Sequence, residues 1–347
     1  MKRKTGLITA ASVLSIAAIG GYTWYANHQT LNSTKNTPIT LTTQQKGHNN
    51  DHAAKKLELN ATRSSKPLSS KNAVIHKGNL QPNVYYTNRV VIVTFHDMSS
   101  KLLSPWDMSA QLFNEDLSAI QANYFNVISN RRFIGWLNHQ NSIPDNAVLL
   151  TFDDGYRSMY THALPILLKH HMTGTFFDIV FRQDTNAPGF LSWGELEAMK
   201  QEGMTIACHT YNSHYEVPVN GKETPVFDTP IVVDGKKETW NHYFKRDFLD
   251  FKKAKYELET HLGVPVTEFA WPYGWGTHAA TLAAEEAGYR YLFTTASGDV
   301  TPRTDPLAIP RIDIGKPNIT PSEAIQDILK AAVGEPSRNV PNTLHRV

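Results

Sequence analysis

Ala147-Val148-Leu149-Leu150-Thr151-Phe152-Asp153-Asp154-Gly155 is an apolar run that stops abruptly on two carboxylates and a glycine. The run reads as a strand. Successive strand residues point to opposite faces, so both aspartates reach one site only where the strand gives way to a turn, which Gly155 permits. Two close carboxylates repel unless a cation intervenes; a metal held by one lets the other stay ionised and act as a base. A polar turn at the end of a strand is the plain alternative.

Outward from this run, apolar strand-like segments at 90–95, 125–129, 147–152, 173–180, 205–208, 268–271 and 291–294 alternate with helical patterns. The helices are expected at 110–124, near Phe133, and at 159–170, 192–202, 248–262 and 277–287. Repeated β-α units predict an α/β fold with a parallel sheet, closed as a barrel or doubly wound. In either form, active residues sit at the carboxyl ends of strands. The stretch 216–240 carries Pro218, Pro225, Pro230, Gly221 and Gly235 and reads as a long surface insertion.

Three more strand ends carry chemistry. Ala207-Cys208-His209-Thr210-Tyr211-Asn212-Ser213-His214 places two histidines five residues apart just after an apolar segment. On a helix they would lie about 140° apart, so they share an ion only from a loop or irregular turn. Two histidines and one aspartate form a facial set with open positions, suited to zinc, cobalt, nickel or iron. Phe269-Ala270-Trp271-Pro272-Tyr273-Gly274 supplies a proline-fixed turn whose backbone N–H groups could face an oxyanion. In Val93-Thr94-Phe95-His96-Asp97, His96 emerges at the end of the first core strand, where a structural histidine is the alternative. Cys208, the sole cysteine, reads as a buried strand residue; with no disulfide available, an exported chain is held by its core or a metal.

In their order along the chain, TFDDG, the histidine pair and PYG resemble the polysaccharide deacetylase family, carbohydrate esterase family 4, also called the NodB-homology domain. The resemblance covers roughly 89–322 and implies a distorted (β/α)7-type barrel. The separation of the histidines in HTYNSH, the insertion after His214 and the phrase at 266–274 are most similar to the poly-β-1,6-N-acetylglucosamine deacetylase branch. Carried over by residue, the resemblance implies that Asp154, His209 and His214 hold one divalent ion, zinc first among those named. It makes Asp153 the base, the Tyr273 backbone part of the oxyanion site, and His96 the general acid, as in the circularly permuted arrangement of that branch. Most family members carry an arginine before the Pro-Tyr pair; here Ala270 and Trp271 precede Pro272, and Arg311 is the candidate to hold the aspartate instead. Arg311, Trp193 and Trp271 are also the candidate substrate contacts.

The expected reaction is removal of N-acetyl groups from a β-linked N-acetylglucosamine polymer, with peptidoglycan as the alternative substrate. A catalytically silent glycan-binding module is a second reading. A glycosidase is a third, but adjacent aspartates cannot flank a glycosidic bond at the roughly 5 to 9 Å required, so Asp313 or Glu195 would have to serve.

The chain of 347 residues has 34 basic and 32 acidic side chains, largely interspersed, which gives no concentrated basic face for nucleic acid. Met1-Lys2-Arg3-Lys4 precedes an uncharged run at 5–27 that is long enough to cross a bilayer. With the basic residues kept inside, a single-pass anchor leaves the catalytic domain extracytoplasmic at the cell membrane, or secreted if the segment is cleaved. Residues 28–83 are polar with few large apolar side chains and read as a disordered linker; the His and Lys run at 48–56 is part of it. A deacetylase domain is expected at 84–333 and a loose tail at 334–347. The expected partners are the polysaccharide, the membrane, and an exopolysaccharide synthesis or export complex.

Overall fold

The computed structural model describes residues 83–334 except Ser100 and Leu103. The expected anchor lies outside the described residues, as do all but the border residues of the expected linker and tail. Among the described residues, no helix is long and apolar enough to cross a membrane.

In chain order the strands begin with β1 (Val90–Phe95), β2 (Asn126–Val127), β3 (Ala147–Asp154), β4 (Thr175–Asp178) and β5 (Thr205–Cys208). Two hairpins follow, β6 (Glu216–Val219) with β7 (Lys222–Pro225) and β8 (Val232–Val233) with β9 (Lys236–Lys237). The last three strands are β10 (Glu268–Ala270), β11 (Tyr291–Phe293) and β12 (Ile312–Asp313). Without the hairpins, the other eight form one parallel sheet in the order β11, β10, β5, β4, β3, β1, β12, with β2 beside the first residues of β3. The start of β3 thus pairs with β2, and its second half pairs with β4 from Thr151 onward. The segment 306–313 ties the two edges together. Ile309 exchanges hydrogen bonds with Leu292 and Thr294 on one side, while Ile312 and Asp313 register with Val93 and Thr94 on the other. The sheet is therefore curled, a half-barrel whose gap is spanned by a connection rather than a full ladder.

Helices cover the outside: α1 (Ala110–Ala122), α2 (Asn130–Leu137), α3 (Leu164–Lys169), α4 (Val180–Asp184), α5 (Trp193–Gln201), α6 (Trp240–Leu262), α7 (His278–Ala287) and α8 (Pro321–Ala332). Serine or threonine side chains cap the N-termini of α1, α2, α5, α6, α7 and α8, each satisfying an otherwise free backbone N–H. Most helix boundaries fall within a few residues of expectation. Two differ more. Helix α3 begins at Leu164 rather than 159 because Met159–Ala163 forms a π-helical turn. Helix α6 begins at Trp240 rather than 248, capped by Thr239, with polar Asp247 on its buried face hiding the first turns from an apolar pattern. Helices α4 and α8 had no expected counterpart. The expected insertion at 216–240 keeps its bounds and consists of the two hairpins with a short helical turn, Val226–Asp228, between them.

Strand alternation sorts the core into two layers. Val91, Val93, Phe95, Val148, Leu150, Phe152, Phe176, Cys208, Phe269 and Leu292 face the helices. Val90, Ile92, Leu149, Phe177, Ala207, Ala270, Phe293 and Ile309 fill the concave face, closed at one end by Phe133, Trp136 and Leu137 of α2. Counting on by two from the concave set reaches Thr94, His96, Thr151, Asp153, His209 and Arg311. The concave layer turns polar at the carboxyl ends of the strands.

Candidate active site

Asp153 reaches the site by strand alternation alone, but Asp154 follows it and would face the helices. It does not, because its backbone turns left-handed at φ 79°, followed by Gly155 at φ 73°. A side chain at Gly155 would also stand 2.3 Å from Asp178 Oδ1, so only glycine fits this turn. Thr210, between the histidines, has φ 73°, and Tyr273 has φ 60°. Three non-glycine residues in this costly region, all at neighbouring strand ends, mark a place where the fold holds its backbone against local preference.

The result is one donor cluster. Asp154 Oδ1 lies 3.4 Å from His209 Nε2 and 3.1 Å from His214 Nε2. An ion about 2.0 to 2.2 Å from each ligand puts neighbouring donors about 3.0 to 3.5 Å apart, so these spacings suit a shared divalent cation. His209 Nδ1 lies 2.8 Å from the Ala270 carbonyl, which makes Nδ1 the protonated nitrogen and leaves Nε2 with its lone pair toward the cluster. Burial alone would raise the Asp154 pKa, but His214 and His209 outweigh it and hold the carboxyl well below its ordinary range. Burial pushes His214 down and Asp154 pushes it up, with a net rise. Two imidazoles and one carboxylate, open on one side, fit zinc, cobalt, nickel or iron.

Asp153 stands beside this cluster but is held by another partner. Arg311 Nη1 and Nη2 donate to its two carboxylate oxygens at 2.7 Å each. The guanidinium is fixed in turn by Thr151 Oγ1 at 3.2 Å and the Thr294 carbonyl at 3.1 Å, with Phe177 beneath it. Burial would lift the Asp153 pKa, but Arg311, then His209 and His96, bring it below the usual carboxylate value. Asp153 is thus a buried, oriented, ionised carboxylate. Arg311 is 1% exposed and wholly occupied in this way, so it holds the aspartate and is not a substrate contact.

His96 follows β1 on the concave face and lowers both aspartates through its charge. Its Nδ1 is buried and has no hydrogen-bond partner among the described residues. Tyr273 places a 43% exposed ring 5.0 Å from that of His214. Gly274, at φ 96°, cannot carry a Cβ because Thr295 Oγ1 would lie 1.9 Å away.

Neither tryptophan candidate contacts the donor cluster among the described interactions. Trp271 is 2% exposed and packs among Phe227, Phe251 and Phe269 on the helix-facing layer, where alternation from Phe269 puts it. Trp193 stacks on His261 at 4.0 Å and donates to Asp184, which also accepts from the Tyr211 hydroxyl between the two histidines. Glu195 caps α5 and pairs with Arg157, and Asp313 lies 3.3 Å from Lys316; neither hydrogen-bonds to Asp153. Cys208 is buried in β5. The sequence reading missed Thr151 and the Ala270 carbonyl as supports; their positions on the concave face are the signal that finds them.

Residues 140–292 match the family model for polysaccharide deacetylase. The poly-β-1,6-N-acetyl-D-glucosamine N-deacetylase of Escherichia coli K12 is 27% identical over 271 residues, 72% of this chain. The match spans only 40% of that longer protein. The enzyme of the same name from Staphylococcus epidermidis is 25% identical over 217 residues, 61% of this chain and 70% of its own length. Among solved structures, a de-N-acetylase from Aggregatibacter actinomycetemcomitans superposes with a TM-score of 0.64 at 25% identity, covering 69% of this chain and 99% of that one. IcaB from Ammonifex degensii gives 0.59 at 25% identity, covering 71% and 98%.

Proposed function

We propose that this chain, which carries a polysaccharide deacetylase domain, uses a divalent cation to remove N-acetyl groups from a β-linked N-acetylglucosamine polymer, poly-β-1,6-N-acetylglucosamine before peptidoglycan. The observation that carries the reading is the pairing of an Arg311-locked carboxylate with an adjacent donor set of two histidines and one aspartate. The spacing of His209 and His214 and the names of the relatives support the polymer.

Asp154, His209 and His214 would hold the ion, which when bound supplies a Lewis acid for the acetamide carbonyl and makes water more acidic. Asp153 takes the proton of the attacking water; Arg311 keeps it ionised and aimed. The Tyr273 backbone N–H, on a left-handed turn after β10, donates to the developing oxyanion. His96, beyond the end of β1 on the concave layer, gives its proton to the departing nitrogen. One C–O bond forms and the C–N bond breaks. The products are acetate and a free amine on the sugar, which adds positive charge to the polymer.

The basic residues at 2–4 and the uncharged run at 5–27 support an anchor that holds this domain outside the cell, beside polymer in the envelope. Membrane fractionation with protease accessibility of intact cells tests that placement; a cytoplasmic, protease-protected chain overturns it.

The activity test is acetate release by the protein, chelated and then resupplied with metal, on β-1,6-linked N-acetylglucosamine oligomers and on peptidoglycan in parallel, with Asp153→Asn as control. Metal-restored release from the oligomers, lost in the variant, supports the proposal. Release from peptidoglycan alone keeps the chemistry and overturns the substrate. Oligomer binding without any acetate release supports the silent binding module.

A further inference from the structure

Trp106 is a large apolar side chain that is 44% exposed, in the connection between β1 and α1. Single exposed apolar residues are common and carry no meaning alone. This one is different in where it stands and how firmly it is held. Its ring centroid lies 5.5 Å from that of His96, beside the group placed as general acid. Its backbone N–H donates to Ser104 Oγ at 3.2 Å, and Ser104 N–H donates to the buried Asp107 carboxylate at 2.8 Å. Met108 N–H bonds to the Asp97 carbonyl at 3.0 Å and Ser99 N–H to the Met108 carbonyl at 2.9 Å, which pins both ends of the loop to the end of β1.

Lys316 Nζ stands 4.2 Å over the Trp106 ring, and Lys316 is itself held by Asp313 on β12. The indole is therefore fixed from two chain segments, with part of its surface left open next to the reacting groups. Pyranose rings present apolar C–H faces that stack on aromatic rings, and a rigid indole offers that contact at little ordering cost.

We infer that Trp106 is a stacking platform for the sugar that adjoins the reacting N-acetylglucosamine on the His96 side. This rests on the deacetylase reading for what happens at the neighbouring sugar, although the platform itself requires only that the chain bind the glycan. The consequence is a preference for polymer: a substrate one sugar long cannot use Trp106, whereas an oligomer can.

The test compares intact protein with Trp106→Ala and Trp106→Phe. Acetate release is measured on a β-1,6-linked N-acetylglucosamine tetramer and on a small aryl acetate with no sugar. In parallel, tetramer affinity is measured in the Asp153→Asn background, with and without Trp106→Ala. Trp106→Ala is expected to lose roughly tenfold more kcat/KM on the tetramer than on the aryl acetate, mostly through KM. Trp106→Phe is expected to recover most of that loss, and tetramer affinity should fall by a similar factor. Equal losses on both substrates would mean that Trp106 acts on His96 and would overturn the platform, as would unchanged tetramer affinity. If the parent binds the tetramer through Trp106 yet releases no acetate from it, the platform stands and the deacetylase reading falls.

Discussion

Replacing Arg311 by methionine removes both donors to a buried carboxylate while leaving a side chain of similar length. Asp153 is 3% exposed and receives two bonds of 2.7 Å from Arg311, whose own side chain is fully enclosed. Breaking such a pair from one side leaves an uncompensated charge, at a cost of about 3 to 5 kcal/mol. For a domain of this size that is a fall of about 10 °C in Tm. The aspartate relieves the cost by taking up a proton, so its pKa rises. Because the parent value is depressed, the stabilisation from Asp153 is present above the ordinary carboxylate pKa and is lost as pH falls through the folded value. The stability gap between parent and Arg311→Met is therefore widest near neutral pH and narrows toward acid. In activity, the acid limb of kcat/KM at saturating metal should move up by about one pH unit or more, each unit cutting the active fraction about tenfold below the limb. Arg311→Lys keeps a charge but cannot donate to both oxygens in the same fork, and should fall between. An Arg311→Met protein with the parental acid limb and Tm would refute the assignment of Arg311 as the residue that orients the base.

Substituting His214→Ala should leave the helical and sheet content intact by circular dichroism while bound zinc after dialysis falls well below one equivalent; full zinc retention would remove His214 from the ligand set. Asp116 is 1% exposed on α1 with neither oxygen hydrogen-bonded among the described residues, and burial, then Glu115, push its pKa up to about 8. A carboxyl raised in this way favours the fold below its ordinary pKa, and that advantage is lost as pH rises toward 8. Asp116→Asn should therefore gain in Tm relative to the parent as pH rises from the ordinary carboxylate range toward 8, and a gap that does not change with pH would count against the shift. Gly274→Ala should cost about 1 to 3 kcal/mol by urea titration, since it combines a left-handed backbone with a clash on Thr295; a neutral result would show that the turn relaxes freely.

What the sequence made legible was local and periodic. The apolar run into Asp153, the histidine pair after β5 and the turn at Tyr273 all sit at strand ends because strands announce themselves by composition and stop at polar residues. Arg311 was visible only as a candidate, because β12 is two residues long and no run of apolar residues marks it. The α8 helix was likewise unannounced as an element, although Thr320, Pro321 and Glu323 spell a capping box with proline at the first turn. Trp271 was misplaced for a different reason. Its neighbour Pro272 drew attention to the turn, whereas two-residue alternation from Phe269 already assigned Trp271 to the helix-facing core. Thr151 was hidden inside an apolar strand, where its hydroxyl has meaning only once Arg311 arrives from 160 residues away.

The connection at 306–313 does two jobs with one stretch of chain. Through Ile309 and Ile312 it fastens the sheet's two edges, and through Arg311 it holds Asp153. The catalytic power of the molecule is thereby made a gauge of that seam. Loosening the clasp by a few ångströms would release Asp153 while the helices and the greater part of the sheet stayed folded. In a mild urea series, turnover should therefore fade at concentrations where far-ultraviolet ellipticity has not yet begun to move, so that the enzyme falls silent before it melts.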